Sequence, residues 1–146
     1  MAKFDKTIVI AAPLSDVFDY ISQPEHFPNF LPIADLTFLT HMHRGVGTRL
    51  RYNFTLGGRR TLTECDLTRL ELDESLAFHS TRGVTCDWGF TFKEVEGGTQ
   101  LRWEGEYDIP LGFLDKLLGR SAGMERAMEA AVEDSLQKLK ETLESG

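Results

Sequence analysis

The stretch TIVIAAPLSDVFDYISQPEHFPNFLP, Thr7 to Pro32, decides the fold because it predicts a strand, a helix and a proline-rich segment in succession. A strand over Thr7–Ala11 leads to Pro13, which suits a first helical turn because its missing N–H would have no partner there. An apolar face at helical spacing follows, formed by Leu14, Val17, Phe18 and Ile21. These residues predict a short amphipathic helix directly after the first strand.

Three prolines limit what can follow this helix. Pro24 ends it, and Pro28 and Pro32 prevent another long helix, because proline cannot donate a backbone hydrogen bond. The apolar residues of this segment should pack down as a second short helical cap rather than stay in solvent; they are Phe27, Phe30 and Leu31.

Strand patterns dominate the next part of the chain, from Ile33 to Ile109, and glycine pairs at Gly57-Gly58 and Gly97-Gly98 mark turns. With the first strand, the predicted strands are Thr7–Ala11, Leu36–His43, Thr48–Leu56, Arg60–Leu72, Leu76–Arg82, Val84–Val95 and Thr99–Ile109. Because most of the connections are short, these strands should form an antiparallel meander.

Alternation in the strands predicts a sheet with one aromatic face and one polar face. Trp88 and Phe90 share a frame opposite Asp87 and Gly89, as expected when one face packs on a core. The fourth strand is irregular, because its apolar residues change frame along its length. Leu62 and Leu70 lie in one frame, and Cys65 and Leu67 lie in the other, which predicts a β-bulge.

After Pro110 the pattern changes to that of a long amphipathic helix over about Phe113–Leu143, weakened in its first part by Gly119 and Gly123. The inner face of this helix carries small or flexible residues where a packed core would favour leucine and isoleucine. They are Met124, Ala127, Met128, Ala131 and Ser135. Such residues either allow close packing of helix on sheet or leave a cavity between them.

Composition limits the classes of protein that the chain can belong to. With 146 residues and a 41% hydrophobic content, residues 1–146 are expected to form one domain. The net charge of −7 argues against a nucleic-acid-binding surface and against simple attraction to anionic membranes. There is no apolar run long enough to span a bilayer, and MAKFDK is no secretory signal, so we expect a cytoplasmic protein without integral membrane association.

Several segments, in their order and spacing, resemble the polyketide cyclase/dehydrase and lipid-transport family of the START and birch-pollen-allergen-like (SRPBCC) superfamily. They are IAAPLSDVFDYISQPEHFPNFLP near the start, GVGTRL, LELDESLAFHS, GGTQLRWEGEYDIPLG and the MERAMEAAVEDSLQKLKETLE tail. The resemblance implies an α+β helix-grip domain, in which a seven-stranded antiparallel sheet wraps around the long C-terminal helix, with two short helices after the first strand. It also implies an apolar cavity between sheet and helix, but not one activity, since that family includes cyclases, aromatases, lipid carriers and plain binding proteins.

With the cavity favoured by this resemblance, the function that we expect is the binding of a small hydrophobic molecule that is lipid-like, polyketide-like or aromatic. Rings that carry polar atoms should stand opposite the small helix residues and orient the ligand. The residues expected to contact it are Tyr52, Phe54, Phe78, Trp88, Phe90, Trp103, Tyr107, Met124, Met128 and Ala131. The oligomeric state, monomer or homodimer, is left open.

An enzyme of the cyclase or dehydratase type, acting in the same cavity, is the first alternative. It needs a positioned acid or base, either a tyrosine or Glu64, which shares a frame with Asp66 and Leu62 and could face inward unless the bulge turns it outward. Arg82 could meet an acidic head group at the cavity mouth or lie on the surface. No nucleophile–base motif or phosphate-binding glycine loop is present, so catalytic residues stay unassigned and we expect no cofactor.

A module that binds a protein partner is the second alternative, because the segments Phe27–Leu31 and Phe113–Leu118 could form an exposed apolar patch or a lid over the cavity. We expect no metal site: His41 and His43 could point the same way from a strand, but further ligands are not apparent. Cys65 and Cys86 lack the spacing of a metal or redox motif and are expected to be buried, reduced thiols.

Overall fold

Seven antiparallel strands form one sheet, as the sequence predicts, and their order is β1-β7-β6-β5-β4-β3-β2, in which β1 pairs with β7. The computed structural model describes residues 2–108 and 120–145, apart from the side chains of residues 120–122. In chain order the elements are β1 (Ala2–Ile10), α1 (Leu14–Ile21), a 3-10 helix (Pro24–Asn29), β2 (Ile33–Phe38), β3 (Arg49–Leu56), β4 (Arg59–Glu71), β5 (Ser75–Arg82), β6 (Thr85–Val95), β7 (Gly98–Asp108) and α2 (Arg120–Ser145). Within this part of the chain, no helix is both long and apolar enough to cross a membrane.

The two short helices after β1 follow the predicted order. Pro13 is the N-cap residue of α1 and has an extended backbone, so the helix begins at Leu14 and Pro13 is not part of its first turn. The buried face of α1 carries Val17, Phe18 and Ile21. In the next segment, Phe27 is 0% and Phe30 is 3% exposed, which confirms that these rings pack down into the core.

The second strand was predicted at Leu36–His43 and lies instead at Ile33–Phe38. The N–H of Leu39 still donates to the carbonyl of Arg49 at 2.9 Å. Because β3 begins at Arg49, the pairing of β2 with β3 ends at this hydrogen bond. The chain then forms a loop in which Gly45 and Gly47 have positive φ angles of 107° and 98°. His41 and His43 therefore lie in a loop and not on a strand.

β4 contains the predicted irregularity at Thr68, and its partner β5 contains a second one at Thr81. Its register against β5 shifts between Glu64 and Cys65, and again between Leu67 and Arg69. Cys65 and Leu67 are buried, and Glu64 forms ion pairs with arginines of the neighbouring strands. β4 thus keeps Thr63, Cys65 and Leu67 on the inner face and its acidic residues on the outer face, where Leu62 is also exposed.

The helix α2 packs its apolar stripe against the inner face of the sheet. Val132, Leu136 and Leu139 are buried, and full burial of one such leucine contributes about 1.5–3 kcal/mol. At the end of the helix, Lys140 Nζ donates to the Val9 carbonyl at 2.7 Å, and Glu144 Oε2 accepts from the Ala11 N–H at 2.7 Å. The first part of the predicted helix, 113–119, lies outside the described residues.

A missing side chain on β7 makes room for an aromatic ring. Gly105 lies opposite Phe4 of β1 and Trp88 of β6 on the inner face. A Cβ placed on Gly105 would lie 2.6 Å from the Phe4 ring and 3.2 Å from the Cβ of Trp88. The rings of Phe4 and Trp103 pack in a T-shaped arrangement with their centroids 5.2 Å apart, so the Phe4 ring has little freedom to move away from Gly105.

We therefore predict that Gly105→Ala destabilises the protein by about 1–3 kcal/mol, because overpacking forces neighbouring rings out of their positions. Gly123→Ala is the matched control, since nothing lies within 4 Å of a Cβ at this helical position. It should leave stability unchanged or raise it by about 0.5–1 kcal/mol. Urea unfolding of both variants measures the difference, and a Gly105→Ala protein as stable as wild type would contradict the packing described.

Candidate functional site

A cavity of about 60 Å³ lies between the inner face of the sheet and α2. Residues from both the sheet and the helix form its wall, so the cavity exists only in the assembled domain. Of the predicted ligand-contacting residues, those that line it are Tyr52, Phe54, Trp88, Trp103, Met128 and Ala131. Whether they bind a ligand stays a prediction.

The other four predicted residues lie outside this wall. Phe78 stacks flat against Trp88 with ring centroids 4.2 Å apart, and Phe90 stacks against Trp103 at 5.2 Å. Tyr107 is 1% exposed and belongs to the packed core. Met124 packs over Gly57, near the turn between β3 and β4. Alternation alone assigned these residues to the inner face, but it did not distinguish the wall of the cavity from the core behind it.

The structure adds lining residues that sequence reasoning did not select. They are Phe4, Leu31, Pro32, Ile33, Thr63, Ser80, Val84, Cys86 and Val132. Phe4 was missed because the first strand was predicted to begin at Thr7, whereas β1 begins at Ala2. The signal was present, since Phe4, Ile8 and Ile10 share one frame of the strand. Ile33 was missed because the second strand was predicted to begin at Leu36, whereas β2 begins at Ile33. Leu31 was considered only as part of an exposed patch or a lid over the cavity.

The polar groups of the wall are few and uncharged. The Tyr52 hydroxyl donates to Cys65 Sγ at 3.7 Å, a weak acceptor, and the Thr63 hydroxyl donates to the Thr61 carbonyl at 3.3 Å. Ser80 adds a third hydroxyl. None of the lining residues that the structure describes is an acid, a lysine, an arginine or a histidine. An ionised ligand group would therefore lack a charged partner on these residues.

Burial keeps the ionisable groups of the wall neutral. It raises the pKa of the Tyr52 hydroxyl well above its usual value, and the neighbouring Cys65 adds to this shift. Burial also raises the pKa of the Cys65 thiol and of the Cys86 thiol to about 12. All three groups are consequently protonated near neutral pH, and none of them is a ready base.

One fully buried polar atom of the wall has no partner within the described part of the chain. Trp103 is 7% exposed, and among the described residues nothing accepts a hydrogen bond from its Nε1. Buried donors are normally paired, so an orphaned one needs an explanation. The Ser135 hydroxyl on α2 is the other buried side-chain group in this condition within the described part of the chain.

The acidic residues considered for catalysis lie on the outer face. Glu64 accepts from Arg82 at 3.3 Å and lies 3.6 Å from Arg51, and Asp66 accepts from Arg49 at 2.9 Å. Arg82 is thus a surface residue held by Glu64. Both carboxylates alternate along β4 with the buried Thr63, Cys65 and Leu67, so they point away from the cavity and neither can exchange a proton with a molecule inside it.

The histidines do not assemble a metal site in the part of the chain described. No group of three or more histidine, cysteine, aspartate or glutamate side chains is close enough there to hold an ion. His43 stacks its ring on Phe38 with centroids 3.8 Å apart, and His79 Nδ1 lies 2.5 Å from Asp87 Oδ1 on an exposed strand surface.

The helix-grip arrangement recurs in solved structures of low sequence identity. A protein from Thermus thermophilus superposes with a TM-score of 0.82 at 18% identity, covering 97% of each chain. A START superfamily protein from Mycobacterium smegmatis gives 0.72 at 17% identity, covering 98% of this chain and 97% of that chain. The di-domain ARO/CYC StfQ from the steffimycin biosynthetic pathway gives 0.77 at 16%, covering 98% of this chain and 51% of that one. At these identities the likeness shows the fold.

The family follows from a comparison of sequences. The model of the family described as "Polyketide cyclase / dehydrase and lipid transport" matches residues 1–144. The chain therefore belongs to this family, as the resemblance of its sequence segments implies. Comparison with curated protein sequences gave no match.

The raised pKa values predict that both cysteines of the native protein resist alkylation. An ordinary value of 9.0 becomes about 12, so at pH 8 the reactive thiolate is about a thousandfold rarer than in an exposed cysteine. Iodoacetamide treatment followed by intact-mass measurement should show no adduct without denaturant and two adducts in about 8 M urea, a concentration of the order that unfolds such domains. Cys65 is buried as expected, whereas Cys86 is only half-buried, and rapid labelling of either thiol in the native protein would contradict its raised pKa.

Proposed function

We propose that the protein binds a small, neutral, apolar molecule in the cavity between α2 and the sheet. The observation that supports this most directly is the wall itself, which combines rings such as Tyr52, Trp88 and Trp103 with aliphatic side chains and no charge among the described lining residues. Moving an apolar ring from water into such an environment is favourable by about 25 cal/mol for each Å² removed from solvent. Cavities of this composition are typical ligand sites.

The size of the cavity limits the ligand or requires the wall to move. Its volume of about 60 Å³ is well below the range of about 300–1,000 Å³ that holds drug-sized ligands. A single aromatic ring is therefore the simplest occupant. Met128 provides a way to enlarge the space, because a methionine side chain has three rotatable bonds and adapts to irregular shapes. Leu31 is half-buried and borders the cavity from the segment before β2.

Binding is favoured over catalysis by the absence of a positioned base on the described residues. Tyr52 and Cys86 hold their protons, and Glu64 lies on the opposite face of the sheet beside Arg51. Cyclases and dehydratases need a proton to be moved at a defined atom, and typically use a group with a pKa near the working pH. A cyclase or dehydratase activity remains the alternative, since the family name includes both reactions.

Mass spectrometry of the small molecule that co-purifies with the protein distinguishes these functions. A binding protein should release its ligand chemically unchanged after incubation. Conversion of that molecule with turnover would establish the enzyme instead.

The structure gives less support to the alternative of a module that binds a protein partner. Phe27 and Phe30 are buried in the core and cannot form an exposed apolar patch. The second segment proposed for that patch or for a lid, Phe113–Leu118, lies outside the described residues, so the lid stays a prediction.

Two adjacent alanines of α2 allow a direct test of the cavity. Ala131 lines it, whereas Ala130 is exposed on the same helix. We predict that Ala131→Trp fills the cavity and weakens binding of the neutral probe α-methylstyrene at least about tenfold, which corresponds to about 1.4 kcal/mol. Ala130→Trp introduces the same side chain outside the cavity and should leave the affinity unchanged.

Titration of each variant, followed through the backbone amide signals of β6 and β7 in ¹H–¹⁵N NMR spectra, measures the affinities. Circular dichroism and thermal unfolding show whether each variant keeps the fold. Equal affinities for folded Ala131→Trp and Ala130→Trp would show that the probe does not occupy this cavity, and the proposed function would then fail.

A further inference from the structure

The indole N–H of Trp103 is a fully buried polar group of the cavity wall that the packing of the described residues leaves unused. Trp103 lines the cavity, more than nine-tenths of its surface is buried, and within the described part of the chain its Nε1 has no acceptor. An indole N–H is a hydrogen-bond donor only, so a second donor or a cation cannot satisfy it. Leaving such a group buried and unpaired costs free energy that a suitable acceptor would recover.

The ring of Trp103 is held so that it cannot easily turn towards another partner. Phe90 stacks on it with an interplanar angle of 23°, and Phe4 meets it edge-on at a centroid distance of 5.2 Å. Trp88 makes a third aromatic contact at 6.3 Å. Since Gly105 leaves room for Phe4, the position of this ring cluster is set by the sheet itself. The donor is therefore preorganised, which lowers the cost of binding an acceptor.

The Ser135 hydroxyl, the other buried group without a partner among the described residues, does not require an acceptor from a ligand. Ser135 lies on α2, and a serine hydroxyl can rotate to donate to the carbonyl four residues earlier in its own helix. Tyr52 and Thr63 already donate to Cys65 and to the Thr61 carbonyl. Trp103 alone among these groups has a fixed donor and no local acceptor.

We propose that the ligand carries a neutral hydrogen-bond acceptor, of the kind found in an aryl ketone, which accepts from Trp103 Nε1. This inference rests on the proposed function and specifies the ligand class for that site. The acceptor is neutral because the described wall holds no cationic side chain to offset the burial of a carboxylate. It belongs to a planar aromatic compound because the neighbouring wall consists of rings, against which a flat molecule can stack.

Two probes of nearly the same shape separate the acceptor from the rest of the ligand. Acetophenone carries a ketone oxygen where α-methylstyrene carries a methylene group, so both present the same ring and only the first can accept a hydrogen bond. The protein has two tryptophans, and ¹H–¹⁵N spectra therefore show two indole signals, which the variants below assign. Acetophenone should shift the Trp103 indole proton downfield, whereas α-methylstyrene should produce only the ring-current shift common to both probes.

Matched variants test the same contact through affinity. Trp103→Phe keeps an aromatic ring and removes the N–H, so it should weaken acetophenone binding about five- to tenfold while changing α-methylstyrene binding less than about twofold. Trp88→Phe is the control, because Trp88 also lines the cavity but is not an orphaned donor. It should change the affinities of both probes by the same factor. Each probe is compared with itself across the variants, so the different hydration free energies of the two probes in water cancel.

The possible outcomes test the hydrogen-bond acceptor separately from the proposed binding of an apolar molecule. A downfield shift of the Trp103 proton together with a selective loss in Trp103→Phe supports the acceptor. Binding of both probes without that shift, in wild-type protein, overturns the acceptor and leaves the apolar cavity standing. That result would also follow if a water molecule satisfied the donor. If neither probe binds, both proposals fail, and because the spectra are recorded on the unmodified chain, poor folding of a variant cannot hide this result.

Discussion

The burial of one face of α2 against the inner face of the sheet is the contact on which the rest of the structure depends. The sheet presents rings such as Phe90 and Trp103 that need cover, and an amphipathic helix gains most of its stability from such packing. In its last turns α2 fills the interface with Leu136 and Leu139. Lys140 and Glu144 then bond to the backbone at the end of β1, which holds this end of the helix in place.

The candidate site lies where this packing is less complete. One to two turns before Leu136, the helix places Met128 and Ala131 towards the sheet, and both line the cavity. The facing rings cannot move in to fill the space, because Phe4 and Trp103 are held against each other beside Gly105. A change of side-chain size along one helix therefore converts a solid interface into a cavity, and the same contact provides stability at one end and room at the other.

The distribution of charge across the sheet agrees with a binding role. Inside, desolvation holds Tyr52, Cys65 and Cys86 in their neutral forms. Outside, Glu64 is paired with Arg51 and Arg82 across neighbouring strands. A neutral interior attracts neutral molecules, and among its described lining residues there is neither a base to move a proton nor a charge to hold an ion. In such a wall, selectivity among apolar molecules must come from shape and from the few fixed donors.

The sequence by itself determined the type and order of the elements, because strand alternation, helical spacing and the prolines after α1 are local patterns that the final fold obeys. The wrapping of the sheet around the long helix was implied by the resemblance to the family. The sequence also assigned rings such as Tyr52 and Trp88 to the inner face, and it predicted the bulge in β4. Tertiary structure alone decided which inner residues border empty space: Phe78 and Phe90 share frames with Trp88 but pack behind the wall. It alone left Trp103 Nε1 without a partner among the described residues, because a cavity and an unpaired donor depend on how side chains distant in sequence fill a common volume.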